Sequence, residues 1–385
     1  MTVSALPAAD AAAGAAMLAT DPHWTGLTRA VDVTGADRRL WHAGPPFSDW
    51  SAVPVPVRNS LALACIYESW AATPDEAWAL LADGCVEYAP AQDHGLVVPL
   101  AGVISPSMAL HVISDPESGR VRYAALNEGM QHCLRLGVLD PEIPEFHRWL
   151  NGRYAAWLAT RLDPAIPLLG LLAGSLNHGD DGHSRTLAGS RLFAECLLDD
   201  TAPDDIREFL TTCGAFALNI WMATAALILG AAEGFEHSGL ITRAGGNGVD
   251  FGIQLAARPG HWQTVAATAP SGPVEAAHQG RTAVGAIGDS AVVDLLGLGG
   301  QSLRSAPAVT QALDGYLPAD ALDRPQRLLP LTMDSAGGLR TGLSAHTVSA
   351  AGVSPLVLLG MISDTGHGRI GGGVYQPPPE VFSLS

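Results

Sequence analysis

The sequence predicts an α+β protein: two mixed α/β lobes with a helical middle subdomain. Three observations lead there. Strand-like runs gather in the first third, residues 140–235 carry apolar side chains at helical spacing, and glycine-punctuated strands return after Gly239. The chain has 385 residues, 48% of them hydrophobic and 15% charged, enough to bury a large core shared by several subdomains.

The opening stretch "MTVSALPAADAAAGAAMLATD" has no early positive charge and carries Asp10 inside its apolar run. It reads as an alanine-rich lead or a first helix, not a signal peptide, and the lead is taken as residues 1–38. In the N-terminal lobe, residues 39–139, the apolar spacing from Leu61 to Leu81 is helical, with Asp75 and Glu76 after Pro74 at a helix start. "GLVVPLAGVIS" (95–105), "ALHVIS" (109–114) and "RVRYAALNEG" read as strands, with "DPESG" as a turn. The helical subdomain, residues 140–235, includes "EFHRWLNGRYAAWLATRL", "IPLLGLLAGSL", "SRLFAECLL" and "DDIREFLTTCGAFALNIWMATAALIL". Its run "CGAFALNIWMATAALILGAA" approaches the roughly 20 apolar residues of a bilayer span. Asn219 lies inside it and no arginine cluster follows, so it predicts a buried core helix and no membrane partner. In the C-terminal glycine-rich lobe, residues 236–385, "VDFGIQLAA", "WQTVAAT", "AVVDLLG" and "VSPLVLLGMIS" read as strands. Three glycine-rich turns punctuate it, and none has the strand-to-helix setting of a dinucleotide fingerprint.

Composition excludes several chemistries. The formal net charge is −17 and the chain contains no lysine. A Walker A loop, a pyridoxal Schiff base and a lysine general base are therefore absent. No basic stripe exists to displace counterions from nucleic acid. Anions must be held by arginine forks or backbone amides. Five scattered cysteines without a CxxC pair fit a reducing cytoplasm.

The densest polar motif is "NHGDDGHSRT" (177–186). If it opens a helix, Asp180 and His183 share one face, Asp181 and Arg185 another, and His178 precedes the helix. A carboxylate fixing an imidazole tautomer is the usual way to build a general base near neutral pH. A helix cap with an exposed ion pair has the same appearance. His178, Asp180 and His183 match no established zinc spacing, and no metal is assigned. Asn127 and Glu128 in "LNEG" are further candidates for proton transfer at a strand end. Asn247 and Asp250 sit on a glycine turn able to polarise a carbonyl or merely to shape the backbone. Asp289 and Ser290 in "IGDSA", His94, Arg243 and Arg304 complete the candidates for substrate contact.

A string of motifs in order, "LWHAGPPFSDW", "VVPLAGVISPSM", "LNEGMQHCLRLG", "NHGDDGHSRT", "FALNIWMATAA", "GGNGVDFGIQ", "IGDSAVVDLLGLGG" and "RIGGGVYQPPPEVF", resembles the YlbE-like family from about residue 39 onward. That family is encoded beside FdrA-type proteins, and some members are subunits of an oxamate carbamoyltransferase. The resemblance implies an α+β fold and carbamoyl exchange between oxalurate and phosphate in a multi-protein enzyme. This chain departs from it at Asp181, Ser184, Gly246 and Gln254, where the family tends to carry glutamate, asparagine and arginines. The lost cations point away from oxalurate itself, towards another ureido or amide substrate.

The sequence reading is thus a cytoplasmic, homo-oligomeric carbamoyl- or acyl-transfer enzyme without a redox cofactor. In it His183, held by Asp180, moves protons; Asn247 and glycine amides stabilise an oxyanion; and Arg185 and Arg243 bind the substrate anion. Two alternatives stand beside it: a half-site subunit completed by an FdrA-like partner, and a metal-dependent amidohydrolase.

Overall fold

A computed structural model describes residues 6–126 and 132–384. The strands of the first half are β1 (His23–Arg29), β2 (Arg39–His42), β3 (Glu87–Pro90), β4 (Leu96–Val97), β5 (Val103–Ile104), β6 (Ala109–Ser114), β7 (Val121–Ala125) and β8 (Ile166–Pro167). Five of them form a mixed sheet in the order β4-β7-β6-β1-β8, and β3-β2-β5 form a second. The strand expected over 95–105 is split between those two sheets. Gly102 N closes a turn on Pro99 O (3.0 Å), and Leu100 takes a φ of 52°, so the chain leaves one sheet and enters the other. The helical spacing of 61–81 resolves into two helices, Val55–Tyr67 and Pro74–Ala82, the second capped by Thr73.

The stretch read as a lead packs into the body. Helix Ala8–Leu18 buries Ala13 and Met17 in the main core, and β1 pairs with β6 on one side and β8 on the other. Asp10, fully buried, accepts hydrogen bonds from Ser238 Oγ (2.9 Å) and Gly239 N (2.7 Å) and pairs with His346 Nδ1 (2.9 Å).

The second half contributes β9 (Ile241–Asn247), β10 (Asp250–Leu255), β11 (Gln263–Ala266) and β12 (Ile287–Gly288), an antiparallel sheet in the order β11-β10-β9-β12. Two hairpins follow: β13 (Leu331–Met333) with β14 (Leu339–Thr341), and β15 (Val357–Ile362) with β16 (Arg369–Tyr375). "AVVDLLG" is not a strand. Val292 N turns back on Asp289 O (3.0 Å) and Gly297 at φ 133° ends the short helix Ala291–Leu296. Its Val-Val pair favours strand only weakly, and tertiary context overrides it.

Helices from Glu142 to Gly230 fill the middle. The last of them, Phe216–Gly230, is buried at every residue, as its all-round apolar sequence demands. It packs against β4, β6 and β7 of one sheet, β9 of the other, and the helices Ala8–Leu18, Leu187–Leu197 and Ala291–Leu296. No single helix among the described residues is long and apolar enough to cross a membrane. Fully burying each Leu, Ile or Phe here contributes about 1.5–3 kcal/mol, so this helix anchors both halves.

Asp289 ties the halves together. Its Oδ1 accepts from Gly44 N (2.9 Å) and Gln92 Nε2 (2.6 Å), and Oδ2 from Val98 N (3.0 Å). Close by, a Cβ on Gly44 would lie 2.3 Å from Gly246 C, so the halves meet backbone to backbone. Burial drives the Asp289 carboxyl up to about 7, past the opposing pull of its donors. Its folded value exceeds the free value of 3.8, so its contribution to stability is complete below that pH and is lost as pH rises through about 7. In urea unfolding across pH 4 to 7, Asp289→Asn should therefore lower stability at acid pH. It should also flatten the decline by up to about 1.4 kcal/mol per pH unit. Parallel profiles for the two proteins would contradict this role.

Candidate functional site

The residues 178–186 form a loop between helices Leu169–Asn177 and Leu187–Leu197, not the first turn of a helix. Two aspartates shape it. Asp180 Oδ2 accepts from Ser175 Oγ (2.8 Å) and Gly189 N (2.8 Å), one on each flanking helix. Asp181 Oδ1 accepts from His183 N (2.6 Å) and Arg185 N (3.2 Å), an Asx-type turn that positions the histidine. The Asp181 carbonyl also accepts from Gly299 N (2.7 Å), which docks the loop on the C-terminal lobe. Burial raises the Asp181 carboxyl to about 6, against the pull of the two amides and His183.

His183 is held by Asp294, not by Asp180. Its Nδ1 lies 2.5 Å from Asp294 Oδ2, and both side chains are buried. The other oxygen, Oδ1, accepts from Gly300 N (2.8 Å) and Leu358 N (3.0 Å), so the carboxylate cannot rotate away. Gly299 is required beside it: at φ 51° a Cβ there would sit 2.1 Å from Asp294 Oδ1. Burial alone would lower the His183 pKa. The charge and hydrogen bond of Asp294, with the charge of Asp181, outweigh it and hold the imidazole above its ordinary value. With Nδ1 committed to the carboxylate, Nε2 is the ring nitrogen left for a ligand.

His183 lines a cleft of about 640 Å³ at the junction of the lobes. Arg185, Arg135, Arg369 and Ser290 line it too. Ser290 Oγ is buried and has no hydrogen-bond partner among the described residues. Arg185 Nε lies 3.8 Å from Asp180 Oδ1, and Arg369 Nη1 2.9 Å from Glu275 Oε1. Three arginines thus line the cleft with a protonatable imidazole, two of them also paired with acids.

The other sequence candidates among the described residues do not line this cleft. Asn247 Oδ1 accepts from Val249 N (2.9 Å) and Asp250 N (2.8 Å), and its Nδ2 donates to Pro45 O (3.0 Å), so it shapes the β9–β10 turn rather than an oxyanion hole. Asp250 begins β10. Arg243 is bound between Glu233 and Asp93, each at 3.0 Å, and Asp289 is the tie described above. His178 is exposed, with Nδ1 on Gly174 O (2.7 Å). His94 sits half-buried against the Trp41 ring, and burial lowers its pKa. Arg304 makes an exposed pair with Asp323 (2.6 Å). Asn127 and Glu128 lie outside the described residues. Among the described residues, His132, Asp140 and Glu142 bring three ligand atoms within 4.8 Å of one another, whereas His178, Asp180 and His183 do not converge.

Sequence reasoning missed Asp294, Arg135 and Arg369. A signal existed for the first: a lone carboxylate in the apolar run "AVVDLLG" must find a partner if the run is buried. Nothing local marks the two arginines.

The raised His183 value means that the pair stabilises the fold below about pH 6.5, and that this gain is lost as pH rises through the higher folded value. Following the imidazole C–H resonances by NMR should place the wild-type midpoint above 6.5 and that of Asp294→Asn below it. An unchanged midpoint would remove Asp294 as the controlling charge.

Comparison with known proteins matches this geometry to a family. A family model described as oxamate carbamoyltransferase subunit AllG matches residues 86–290, which include His183 and Ser290. The chain is 28% identical to the uncharacterized protein YahG of Escherichia coli K12, covering 95% of this chain and 82% of that one. It is 27% identical to the oxamate carbamoyltransferase subunit AllG of the same organism, covering 94% and 92%. A crystal structure of a conserved protein of unknown function from Enterococcus faecalis V583 superimposes with a TM-score of 0.90 at 26% identity, over 97% of this chain and 95% of that one. The similarity spans nearly the whole fold, and the chain belongs to the AllG family of oxamate carbamoyltransferase subunits.

Proposed function

We propose that this chain catalyses carbamoyl or acyl transfer from an N-carbamoyl or related amide substrate, in the cleft around His183. The observation that carries this reading is His183, held by buried Asp294, in a cleft that Arg135, Arg185 and Arg369 also line. Phosphate oxygen bonds to the carbamoyl carbon, the C–N bond breaks, and the departing nitrogen takes a proton from the His183 imidazolium. Asp294 keeps Nδ1 occupied, so that proton leaves from Nε2. The arginines hold the substrate carboxylate and phosphate by planar, bidentate contacts that the lysine-free chain makes in no other way. Ser290 Oγ supplies a hydrogen bond to the carbonyl oxygen as charge develops there. Asp180 and Asp181 keep the loop in place without touching the reacting atoms.

A second reading follows from the word "subunit" in the relative's description. In it an FdrA-like protein completes the site, and this chain alone supplies the anion-binding half.

The test incubates the purified chain with oxalurate, allantoate and carbamoyl aspartate, with and without phosphate, and follows carbamoyl phosphate and ammonia. Carbamoyl phosphate formed only with phosphate supports the transferase. Ammonia without phosphate turns the assignment to a hydrolase, and activity appearing only after an FdrA-like protein is added supports the half-site. In whichever mixture is active, His183→Ala should lower kcat about 10²–10⁴-fold. Undiminished turnover would exclude His183 as the proton donor.

A further inference from the structure

The cleft has two unlike walls. The cationic one is Arg135, Arg185 and Arg369 with His183. Opposite in character is an apolar wall that includes Leu187, Leu218, Val309, Ala312 and Leu313. Ala308 with Ala312 and Val309 with Leu313 are spaced four apart, which puts them on one side of helix Pro307–Ala312 and its C-cap. Ala308 and Ala312 line the cleft and are exposed, Val309 is half-buried, and Leu313 is buried in a small cluster with Leu303 and Leu358. Leu187 is 50% exposed at its rim. Apolar surface concentrated in a concave site, rather than scattered singly, marks a place where a ligand excludes water.

The floor between the walls is backbone. Gly360 and Gly372 face each other across the β15–β16 hairpin, and Arg369 runs along them, its Nη2 3.3 Å from where a Cβ on Gly372 would stand. The Arg369 side chain therefore lies over the two glycines, with Leu100 beside it, and the guanidinium is the group that a ligand meets there. At about 640 Å³ the cleft falls in the range of sites for ligands of drug-like size, with more room than a small, wholly polar acid fills.

We infer that the substrate is amphiphilic: an N-carbamoyl or N-acyl amino acid whose carboxylate meets the arginines and whose apolar side chain covers the wall formed by Val309, Ala312 and Leu313. This rests on the acyl-transfer reading of the cleft and narrows its substrate class.

The experiment measures binding by isothermal titration calorimetry to the whole chain, using N-carbamoyl derivatives of glycine, alanine, leucine and phenylalanine. N-carbamoyl-leucinamide is added as the probe without a carboxylate. Each buried methylene is worth about three- to fourfold in Kd, so the leucine compound should bind on the order of 100-fold tighter than the glycine compound. The leucinamide should lose at least tenfold. Ala312→Asp, an exposed change that should leave folding intact, should weaken the leucine compound at least tenfold and the glycine compound less than twofold. Equal or tighter binding of the glycine compound, no binding by any of the series, or an Ala312→Asp protein with undiminished leucine preference would each overturn the inference. Failure of the parent reading looks different: the leucine compound binds with these sensitivities and is never turned over, with or without phosphate and partner.

Discussion

A carboxylate taken out of water must be met by donors, and the short stretch from β12 through helix Ala291–Leu296 buries two of them, Asp289 and Asp294. Their needs dictate much of the surrounding structure. Asp289 draws in backbone from Gly44 and Val98 of the first half, so the lobes cannot part without stranding it. Asp294 draws in Gly300, Leu358 and the His183 ring, which fixes the polar loop, the last hairpin and the imidazole in one frame. Removing one partner of such an arrangement is far more damaging than replacing all of it, because a buried charge is left without compensation. Ser290, between them in sequence, is the residue of this stretch whose polar atom is left over, and it lines the cleft.

The cleft owes its position to the central helix. Because Phe216–Gly230 is apolar on every face, it must be surrounded, and sheets from both halves and three further helices close round it. Two polar side chains lie inside it: Thr224 Oγ1 donates to Ile220 O (2.8 Å), and neither amide atom of Asn219 has a hydrogen-bond partner among the described residues. The cleft opens where Leu218 and the residues just before this helix meet the polar loop and the glycine hairpin. Rigid packing beneath and a hydrogen-bonded loop above keep the imidazole and the guanidiniums in register, as a preorganised site requires.

Much of this was legible in the sequence, and the division follows physical range. The mixed lobes and helical middle were readable because hydrophobic periodicity is local. The stretch around His183 stood out because its polar density is local too, although the spacing was read as a helix start and the structure has a loop. What escaped was set by tertiary contact. Asp294 lies 111 residues from His183 along the chain, so the pairing left no spacing to read. Asp180 offered a nearer carboxylate, but the loop's glycines, Gly179 at φ 91° and Gly182 at φ 80°, break the helical geometry that would have brought it round. Asn247 and Arg243 had the right chemistry and the wrong address: a turn claims one and two acids claim the other. "AVVDLLG" was misread as strand because so short a run carries too little pattern to separate a buried helix from a buried strand.

The contacts of Asp10 have a bearing on how the chain is made. They reach Ser238, Gly239 and His346 across 228, 229 and 336 residues of sequence. The helix that carries Asp10 is translated well before Ser238, Gly239 and His346, so its carboxylate has none of these partners until they have been made. Until then the helix lacks its cover from helix Phe216–Gly230 and β13, whereas β1 can already pair with β6 and β8. Closure of such long loops is slow, and the waiting surface is a natural client for chaperones. The contacts that lock helix Ala8–Leu18 through Asp10 therefore form only after the segment from Ser238 to His346 exists.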